Sequence, residues 1–234
     1  MIPKVIYQTY YTKNLPSQIL DINKKMMDVN PDYTYQFYDD LEMREFIVKN
    51  YDDETVYLFD RLNVGAAKAD FWRYLILYKN GGIYIDLDSQ IYGKLDDLIT
   101  SDDEAIISRE GHYGKFLQWC LMFSHSHPIL KICIDKCKEN IKNKKTNNII
   151  DLTGPTVFSE SINEYCSGIN LDIWKTNDID VNIKFRSLNL KLRIYSKDYD
   201  GFCKFKNESY LTIENFNIKN QKSRHWTDEK IIFK

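Results

Sequence analysis

Hydrophobic residues recur with a helical period in the run from Val64 to Lys79. The run contains no proline and is rich in Ala and Leu, and Asn63 before it is a common helix cap, so the pattern predicts a helix. Asn80-Gly81-Gly82 is expected to end this helix. Within it, Asp70 and Arg73 lie one turn apart on the same face.

A second pattern follows at once. Apolar and polar residues alternate through Ile83-Tyr84-Ile85-Asp86-Leu87-Asp88. This period of two predicts a strand on which Asp86 and Asp88 share one side. Two carboxylates about 7 Å apart at a strand end repel each other unless a cation lies nearby. Mg²⁺ and Mn²⁺ take one or two carboxylates together with substrate phosphates, so the pattern predicts a site for a metal-bound diphosphate.

Strands and helices alternate before this unit. The predicted elements are a strand at Val5–Thr9, a helix from Ser17 to about Val29, a strand at 33–38, and a helix that Asp39-Asp40 caps and that runs to about Asn50. This order predicts an α/β fold with a mostly parallel central sheet flanked by helices. Ligands in such sheets bind outside the carboxyl ends of the strands, where Asp86 and Asp88 lie.

The second half of the chain is predicted to add further elements. They are a loop and turn at 91–100, strands at Ala105–Arg109, 119–124 and 190–195, a helix from Pro128 to about Lys142, and a Thr153-Gly154-Pro155 turn that opens another helix.

Size, charge and cysteines narrow the class of protein. A chain of 234 residues is long enough for one domain with a sizeable core, and one domain is expected. The formal net charge of −2 argues against a general nucleic-acid binder. Five cysteines without C-x-x-C spacing indicate reduced core residues. No stretch approaches the roughly 18 apolar residues of a membrane span, so a soluble, cytoplasmic protein is expected.

The stretch from Ala66 to Asp88 carries the pattern A-x-x-x-D-x-x-R-Y-x-x-L-x-x-x-G-G-x-Y-x-D-x-D. It closely resembles the DXD sugar-binding region of glycosyltransferase family 32, which includes yeast-type initiating mannosyltransferases and is related to the glucosylating clostridial toxins. The resemblance implies a hexosyltransferase with one GT-A-like, Rossmann-like domain over residues 1–234. Residues 1–100 would form the nucleotide-sugar-binding half, and residues 101–234 an acceptor-side half with a C-terminal closing segment. Because Golgi relatives carry an N-terminal anchor, the sequence implies either a cytoplasmic enzyme or a form trimmed of its anchor.

The resemblance implies roles for the charged residues. Asp88 would ligate the metal directly, and Asp86 would hold the ribose or a metal-bound water. Asp70 and Arg73 would contact sugar hydroxyls, with Asp70 orienting Arg73. His225 is a candidate third metal ligand, because related enzymes often complete the metal shell with a late side chain; a structural surface role is the equal alternative.

The first strand supplies the other donor-binding candidates. Residues 2–8 resemble the family's opening strand, I-P-K-x-I-H-Q, with Tyr7 where His is usual. Tyr10 matches an aromatic residue that stacks on the nucleotide base in the related toxins, and an ordinary surface aromatic is the alternative. The donor-binding candidates are Tyr7, Gln8, Thr9, Tyr10 and Tyr84, together with Asp70, Arg73 and Asp86.

The reaction implied is metal-dependent transfer of a sugar from a nucleotide diphosphate to an acceptor hydroxyl, with retention of configuration. Mn²⁺ or Mg²⁺ is the expected cofactor, a UDP-sugar is expected before a GDP-sugar, and the acceptor is a glycan, a protein or a lipid-linked group. The sequence offers no convincing carboxylate nucleophile, which favours a front-face transfer. Ala69 stands where the family commonly has Ser, which puts the donor preference in doubt.

Two alternatives belong to other classes. Apolar residues before Asp86-Leu87-Asp88-Ser89 resemble the nucleophile loop of haloacid-dehalogenase-type phosphatases, in which Asp86 would attack phosphorus. That loop usually follows the first strand, whereas 85 residues precede Asp86 here. A catalytically silent sugar-binding module is the second alternative, and the intact set of charged residues argues against it.

Overall fold

The structure is a computed structural model that describes residues 1–109, 115–166, 179–185, 188–195, 198–206, 209–220 and 232–233. Its strands are β1 (Val5–Thr9), β2 (Thr34–Tyr38), β3 (Gly82–Ile85), β4 (Gln90–Ile91), β5 (Ala105–Arg109), β6 (Phe116–Phe123), β7 (Ile179–Phe185), β8 (Leu188–Tyr195) and β9 (Cys203–Lys204). Its helices are α1 (Ser17–Val29), α2 (Asp40–Asn50), α3 (Asp53–Asp60), α4 (Gly65–Asn80), α5 (Leu95–Leu98), α6 (Pro128–Lys142), α7 (Ile149–Leu152), α8 (Pro155–Tyr165) and α9 (Ser209–Lys219).

Seven of these strands form one sheet in the order β2-β1-β3-β6-β5-β8-β7. β1 runs parallel to β2 and to β3, and β5 runs parallel to β8. β6 is antiparallel to β3 and β5, and β7 is antiparallel to β8. Five of the seven strands therefore share one direction, which confirms the predicted α/β fold with a mostly parallel sheet. The carboxyl ends of β1, β2 and β3 lie side by side at one edge.

Buried side chains cover both faces of the sheet. On one face, α4, α6 and α8 pack over a core that includes Trp72, Tyr84 and Phe158. On the other face, Ile83 and Ile85 pack with residues of α1 and of the segment 198–206. Because successive strand residues point to opposite faces, Tyr84 lies on the α4 side.

Local signals in the sequence predicted several elements accurately. β1, α1 and α6 match their predicted ranges, and α2 begins after Asp39, whose side chain forms a capping box with Glu42. The prediction of Asn63 as the cap of α4 is wrong, because Val64 occupies the cap position and makes no side-chain bond. Val64 is fully buried, so packing sets the start of this helix.

Gly81 and Gly82 end α4, as predicted, and allow β3 to begin at once. Their φ angles are +67° and +107°, in the region that favours glycine. A Cβ atom on Gly82 would lie 2.6 Å from Val5 Cγ1 and 2.9 Å from the Val5 carbonyl oxygen. Two glycines therefore let β3 pack directly against β1.

Some elements were not predicted. The helix α3 follows α2 directly, the range 91–100 contains the short helix α5, and β7 lies in a stretch predicted to contain one strand. All five cysteines are buried, as predicted, and none forms a disulfide. Within the described residues, no helix has the length and apolar character needed to cross a bilayer.

Candidate functional site

The candidate site begins where β3 ends. The strand stops at Ile85, and a turn follows in which the Ser89 N–H donates to the Asp86 carbonyl at 3.0 Å. The Asp86 N–H donates to the carbonyl of Trp119 on β6 at 2.7 Å. The prediction that the strand continues through Asp88 is therefore wrong, because the turn ends it at Ile85.

Arg73 of α4 contacts two of the predicted acids. Its Nη2 atom lies 3.1 Å from Asp70 Oδ1 and 3.2 Å from Asp86 Oδ1. Its Nε donates to the carbonyl of Ala69 at 3.3 Å, and its Nη1 donates to the carbonyl of Gln118 at 2.8 Å. The Arg73 and Asp70 side chains are 6% and 10% exposed. The ion pair that the helical spacing predicted is therefore present and buried.

Tyr84 joins this network from β3. Strand alternation places residues 84 and 86 on the sheet face that α4 covers, so both meet Arg73. The Tyr84 hydroxyl donates to Asp86 Oδ1 at 2.7 Å, and the Arg73 guanidinium carbon lies 4.4 Å from the centroid of the Tyr84 ring. The Asp86 side chain remains 29% exposed, so a ligand can still reach it.

The protonation of this network follows from its burial. Burial raises the pKa of Asp70 to about 6, although the charge of Arg73 opposes the rise. Burial also raises the pKa of Asp86, against Arg73 and the Tyr84 hydroxyl. Burial disfavours the charge on Arg73 as well, but Asp86 and its other neighbours more than offset this and raise the pKa of Arg73. One guanidinium therefore serves two buried carboxylates.

Asp88 lies in the turn, outside the contacts of Arg73. Its Oδ1 accepts a hydrogen bond from the Ser89 hydroxyl at 3.2 Å. Burial, followed by the nearby charge of Asp86, raises the pKa of Asp88 to about 7, while Ser89 and Lys206 oppose the rise. The two acids of the turn are thus close enough to repel each other.

The donor atoms of the turn fit a hard divalent cation. Asp86 and Asp88 offer carboxylate oxygens, and burial together with the charge of Asp86 raises the pKa of Asp88. Mg²⁺ and Mn²⁺ accept such a pair and complete their shells with water and phosphate oxygens. The described residues contain no group of three or more His, Cys, Asp or Glu side chains suited to a metal. The predicted third ligand, His225, lies outside the described residues.

Gln8 of β1 contacts the backbone of the turn. Its Nε2 donates to the Asp86 carbonyl at 3.4 Å, and its Oε1 accepts from the Tyr35 hydroxyl at 2.8 Å. The Tyr35 hydroxyl accepts in turn from Asn23 Nδ2 at 2.9 Å. Gln8 is fully buried, so the structure places this predicted donor-contact residue beneath the turn as a support for its backbone.

Tyr7 and Thr9 lie on the other face of β1 from Gln8. Tyr7 is buried in the core, and its hydroxyl forms a hydrogen bond with Asn80 at the end of α4. The Thr9 hydroxyl donates to the Tyr38 carbonyl at 2.8 Å. The structure thus engages both side chains with protein groups between β1 and its neighbours.

Tyr10 lies just past β1, near Asp88. Burial raises the pKa of Tyr10, and the charge of Asp88 contributes to the rise. The Tyr10 hydroxyl donates to Asn217 of α9, and the Tyr10 and Tyr11 ring centroids are 4.7 Å apart. Tyr11 stacks on Phe216 of α9. This half-buried aromatic therefore lies at the rim of the site, where α9 meets the loop after β1.

Thr153 and Gln118 also contribute to the site, although neither was predicted to. The Thr153 hydroxyl donates to Asp70 Oδ2 at 3.2 Å, and the Tyr74 hydroxyl donates to the Thr153 carbonyl at 3.1 Å. The Gln118 amide donates to the Tyr74 hydroxyl. The Thr-Gly-Pro turn was a signal for Thr153, whereas no sequence signal distinguished Gln118.

Comparison with known proteins identifies the region that holds these acids. Residues 16–105 match the family model described as glycosyltransferase sugar-binding region containing DXD motif. The mannosyl phosphorylinositol ceramide synthase CSH1 of Saccharomyces cerevisiae is 39% identical over 204 residues, covering 76% of this chain and 54% of that protein. The initiation-specific alpha-1,6-mannosyltransferase of Candida albicans is 26% identical over 208 residues, covering 71% of this chain and 54% of that protein. The chain thus spans about half the length of these two relatives.

A solved structure shares the fold. PaToxG Glycosyltransferase superposes with a TM-score of 0.60 at 18% identity, over 74% of this chain and 73% of that one. At this level of sequence identity, the similarity shows a shared fold and nothing further. The chain therefore carries a glycosyltransferase sugar-binding region with its DXD motif on a GT-A glycosyltransferase fold, and the family resemblance predicted from the sequence is confirmed for that region.

Proposed function

We propose that this chain transfers a mannosyl residue from a nucleotide diphosphate to an acceptor hydroxyl, with retention of configuration and with Mn²⁺ or Mg²⁺ as cofactor. The observation that carries the proposal is the turn after β3. It presents Asp86 and Asp88 together at the carboxyl edge of the parallel strands, where Arg73 contacts Asp86 and the charge of Asp86 acts on Asp88. Ligands of α/β sheets bind at this edge.

The residues of the turn have separate roles in this proposal. Asp88 ligates the cation directly, since its carboxylate lies outside the contacts of Arg73. Asp86 holds the donor ribose or a metal-bound water through the oxygen that Tyr84 does not use. The bound cation supplies positive charge to the diphosphate that leaves.

Asp70 and Arg73 are proposed to border the sugar. Three nitrogens of Arg73 are already engaged with protein groups, so its main task is to fix the positions of Asp70 and Asp86. Asp70 then presents its carboxylate to a sugar hydroxyl from the wall of the site. Tyr10 at the rim is proposed to stack on the nucleotide base.

The printed names of the relatives guide the choice of substrates. Both names include a mannosyl group, so GDP-mannose is proposed as the first donor to test, ahead of the UDP-sugar expected from the sequence. One relative is a synthase of a mannosylated inositol ceramide, which makes an inositol-containing lipid the first acceptor to test and a mannan-type glycan the second. Residues 1–100 would bind the donor, and residues 101–234 would border the acceptor.

Retention is proposed to occur by front-face transfer. Asp86 Oδ1 accepts a bond from Tyr84 and faces Arg73, an environment that makes the carboxylate a weak nucleophile. The departing phosphate would take the proton of the acceptor hydroxyl. Neither step needs a covalent sugar intermediate.

The test is a thermal-shift panel of GDP- and UDP-sugars with and without Mn²⁺, followed by transfer assays with the stabilising donor. A donor at a hundred times its Kd adds about 2.7 kcal/mol, which raises the melting temperature by roughly 5–10 °C. Asp88→Asn should abolish the metal-dependent rise, yet melt no lower than the unmodified protein, because it removes a buried charge. Asp102→Asn, at an exposed turn aspartate bonded to a neighbouring serine, is the matched control.

Three outcomes contradict the proposal. If the metal-dependent rise in melting temperature is unchanged in Asp88→Asn, the turn does not have the proposed role in binding the metal and donor. Donor binding without transfer or hydrolysis across the acceptor panel indicates the silent sugar-binding module. Release of phosphate from small phosphoesters, without any nucleotide sugar, indicates the phosphatase.

A further inference from the structure

The acidic turn and the segment that carries Lys206 lie at the same end of the β4–β9 pair. These strands are antiparallel, and Gln90 pairs with Lys204. Asp88 precedes Gln90 by two residues, and Lys206 follows Lys204 by two. Because the strands are antiparallel, Asp88 and Lys206 both lie just beyond the same end of this two-stranded sheet. The charge of Lys206 opposes the rise in the pKa of Asp88, which places the two side chains within electrostatic reach.

The contacts of Lys206 orient its ammonium group without neutralising it. The Nζ atom lies 4.3 Å from the centroid of the Tyr210 ring and 5.5 Å from that of the Phe205 ring. Neither ring carries a net charge. Among the described residues, Lys206 forms no ion pair, and its side chain is exposed. A positive charge is therefore held beside the turn and remains available to an anion.

The backbone of Lys206 adopts a conformation that lysine disfavours. Its φ angle is +50°, in the left-handed region that glycine and asparagine occupy more readily. A glycine at this position would relieve the strain but would lack the charge. Strained backbone at a site edge is often retained because the side chain has a function.

Charge balance indicates what the ammonium binds. A divalent cation and Arg73 would together carry three positive charges, and the carboxylates of Asp70, Asp86 and Asp88 carry three negative ones. The diphosphate of a donor would thus enter a site with no spare positive charge from these groups. It gains a further negative charge as it leaves the sugar, so an additional cation stabilises the leaving group.

We propose that Lys206 is a further substrate-contacting residue, whose ammonium binds the diphosphate of the nucleotide that the Asp86–Asp88 turn holds. This inference rests on the proposed function. It assigns to the segment after β9 the task of completing the donor site near the acids. The probes that test it are GDP and UDP in the presence of Mn²⁺.

The experiment compares Lys206→Met with Lys204→Met by calorimetric titration. Lys204 is an exposed lysine of the same segment and serves as the matched control. Loss of an ammonium–phosphate contact should weaken binding of the preferred nucleoside diphosphate about tenfold in Lys206→Met. Lys204→Met should bind within about twofold of the unmodified protein, because Lys206 and not Lys204 is the lysine whose charge acts on Asp88.

Two further variants separate binding from folding. Lys206→Gly relieves the left-handed backbone, so it should melt no lower than the unmodified protein, yet lose the same tenfold in affinity. Lys206→Arg keeps the charge and should bind within about threefold.

Each remaining result has a defined meaning. Unchanged affinity in Lys206→Met and Lys206→Gly overturns the role of Lys206 and leaves the proposed function intact. Equal losses in the Lys204 and Lys206 variants also overturn it, since a general loss of charge would then account for both. Absence of GDP and UDP binding by the unmodified protein overturns the proposed function itself.

Discussion

Two regions of the site differ in how their acidic side chains are paired with other protein groups. On the α4 side, Asp70 is held by Arg73 at 3.1 Å and by the Thr153 hydroxyl at 3.2 Å. On the turn side, Asp88 accepts a bond from its neighbour Ser89, and the charge of Lys206, in the segment after β9, acts on it. The first region binds its charges to the protein, and the second leaves charge available to a ligand. Substitutions should therefore cost stability on the α4 side and ligand binding on the turn side.

The strongest test of this contrast is Arg73→Met. Removing the guanidinium leaves the buried Asp70 and the partly exposed Asp86 without their counterion, which should lower the free energy of unfolding by about 3–5 kcal/mol. For a chain of this size the melting temperature should fall by roughly 6–20 °C. Arg44→Met is the control, because its ion pair with Asp60 lies at the surface and should cost at most about 1 kcal/mol. The melting temperatures are measured by calorimetry. Equal values in the two variants would contradict the difference proposed between the two regions.

A smaller effect is expected from pH. Because the pKa of Asp70 is raised to about 6, the folded state holds this proton more tightly than the unfolded state. Stability should therefore fall as pH rises from about 4 to 6, by up to roughly 3 kcal/mol from this group. Asp70→Asn should flatten that part of the profile of unfolding free energy against pH. The profile is measured by urea unfolding in the presence of EDTA.

The control for Asp70→Asn is Asp135→Asn, which alters an exposed carboxylate paired with Lys131 on α6. It should reproduce the profile of the unmodified protein. If Asp70→Asn also reproduces that profile, Asp70 does not carry the buried charge described here.

The smallest effect on stability is expected at the rim of the site, where Tyr10 lies. Tyr10→Phe removes the hydroxyl that bonds Asn217 and keeps the ring, so it should cost about 0.5–1.5 kcal/mol. Asn217→Ala should cost a similar amount, and the double variant should cost little more than either, as expected for two partners in one bond. Strictly additive losses in denaturant unfolding would show that the bond does not join the loop after β1 to α9.

The sequence predicted what local patterns determine. The strand β1, the helix α1 and the glycine stop at Gly81-Gly82 follow from short-range signals, and the spacing of Asp70 and Arg73 alone placed them on one helix face. The family pattern then located the acids of the site. These features depend on residues a few positions apart, which is why a single sequence was sufficient.

The remaining parts depend on contacts between distant residues. The two-residue period predicted Asp88 on a strand, but pairing of Asp86 with β6 and the turn to Ser89 end that strand at Ile85. Thr153 and Gln118 reach the site only because α7, α8 and β6 pack against α4. No periodic pattern in the sequence indicates such contacts between distant residues, so only the three-dimensional structure identified them.

The pairing of β4 with β9 also has a consequence for synthesis of the protein. Gln90 and its partner Lys204 are separated by 114 positions in the chain. At a ribosomal rate of about 5–20 residues per second, the second strand emerges roughly 6–23 s after the first. The acidic turn is thus made before its basic neighbour, so nascent chains that end before β9 should bind the nucleotide more weakly than longer ones.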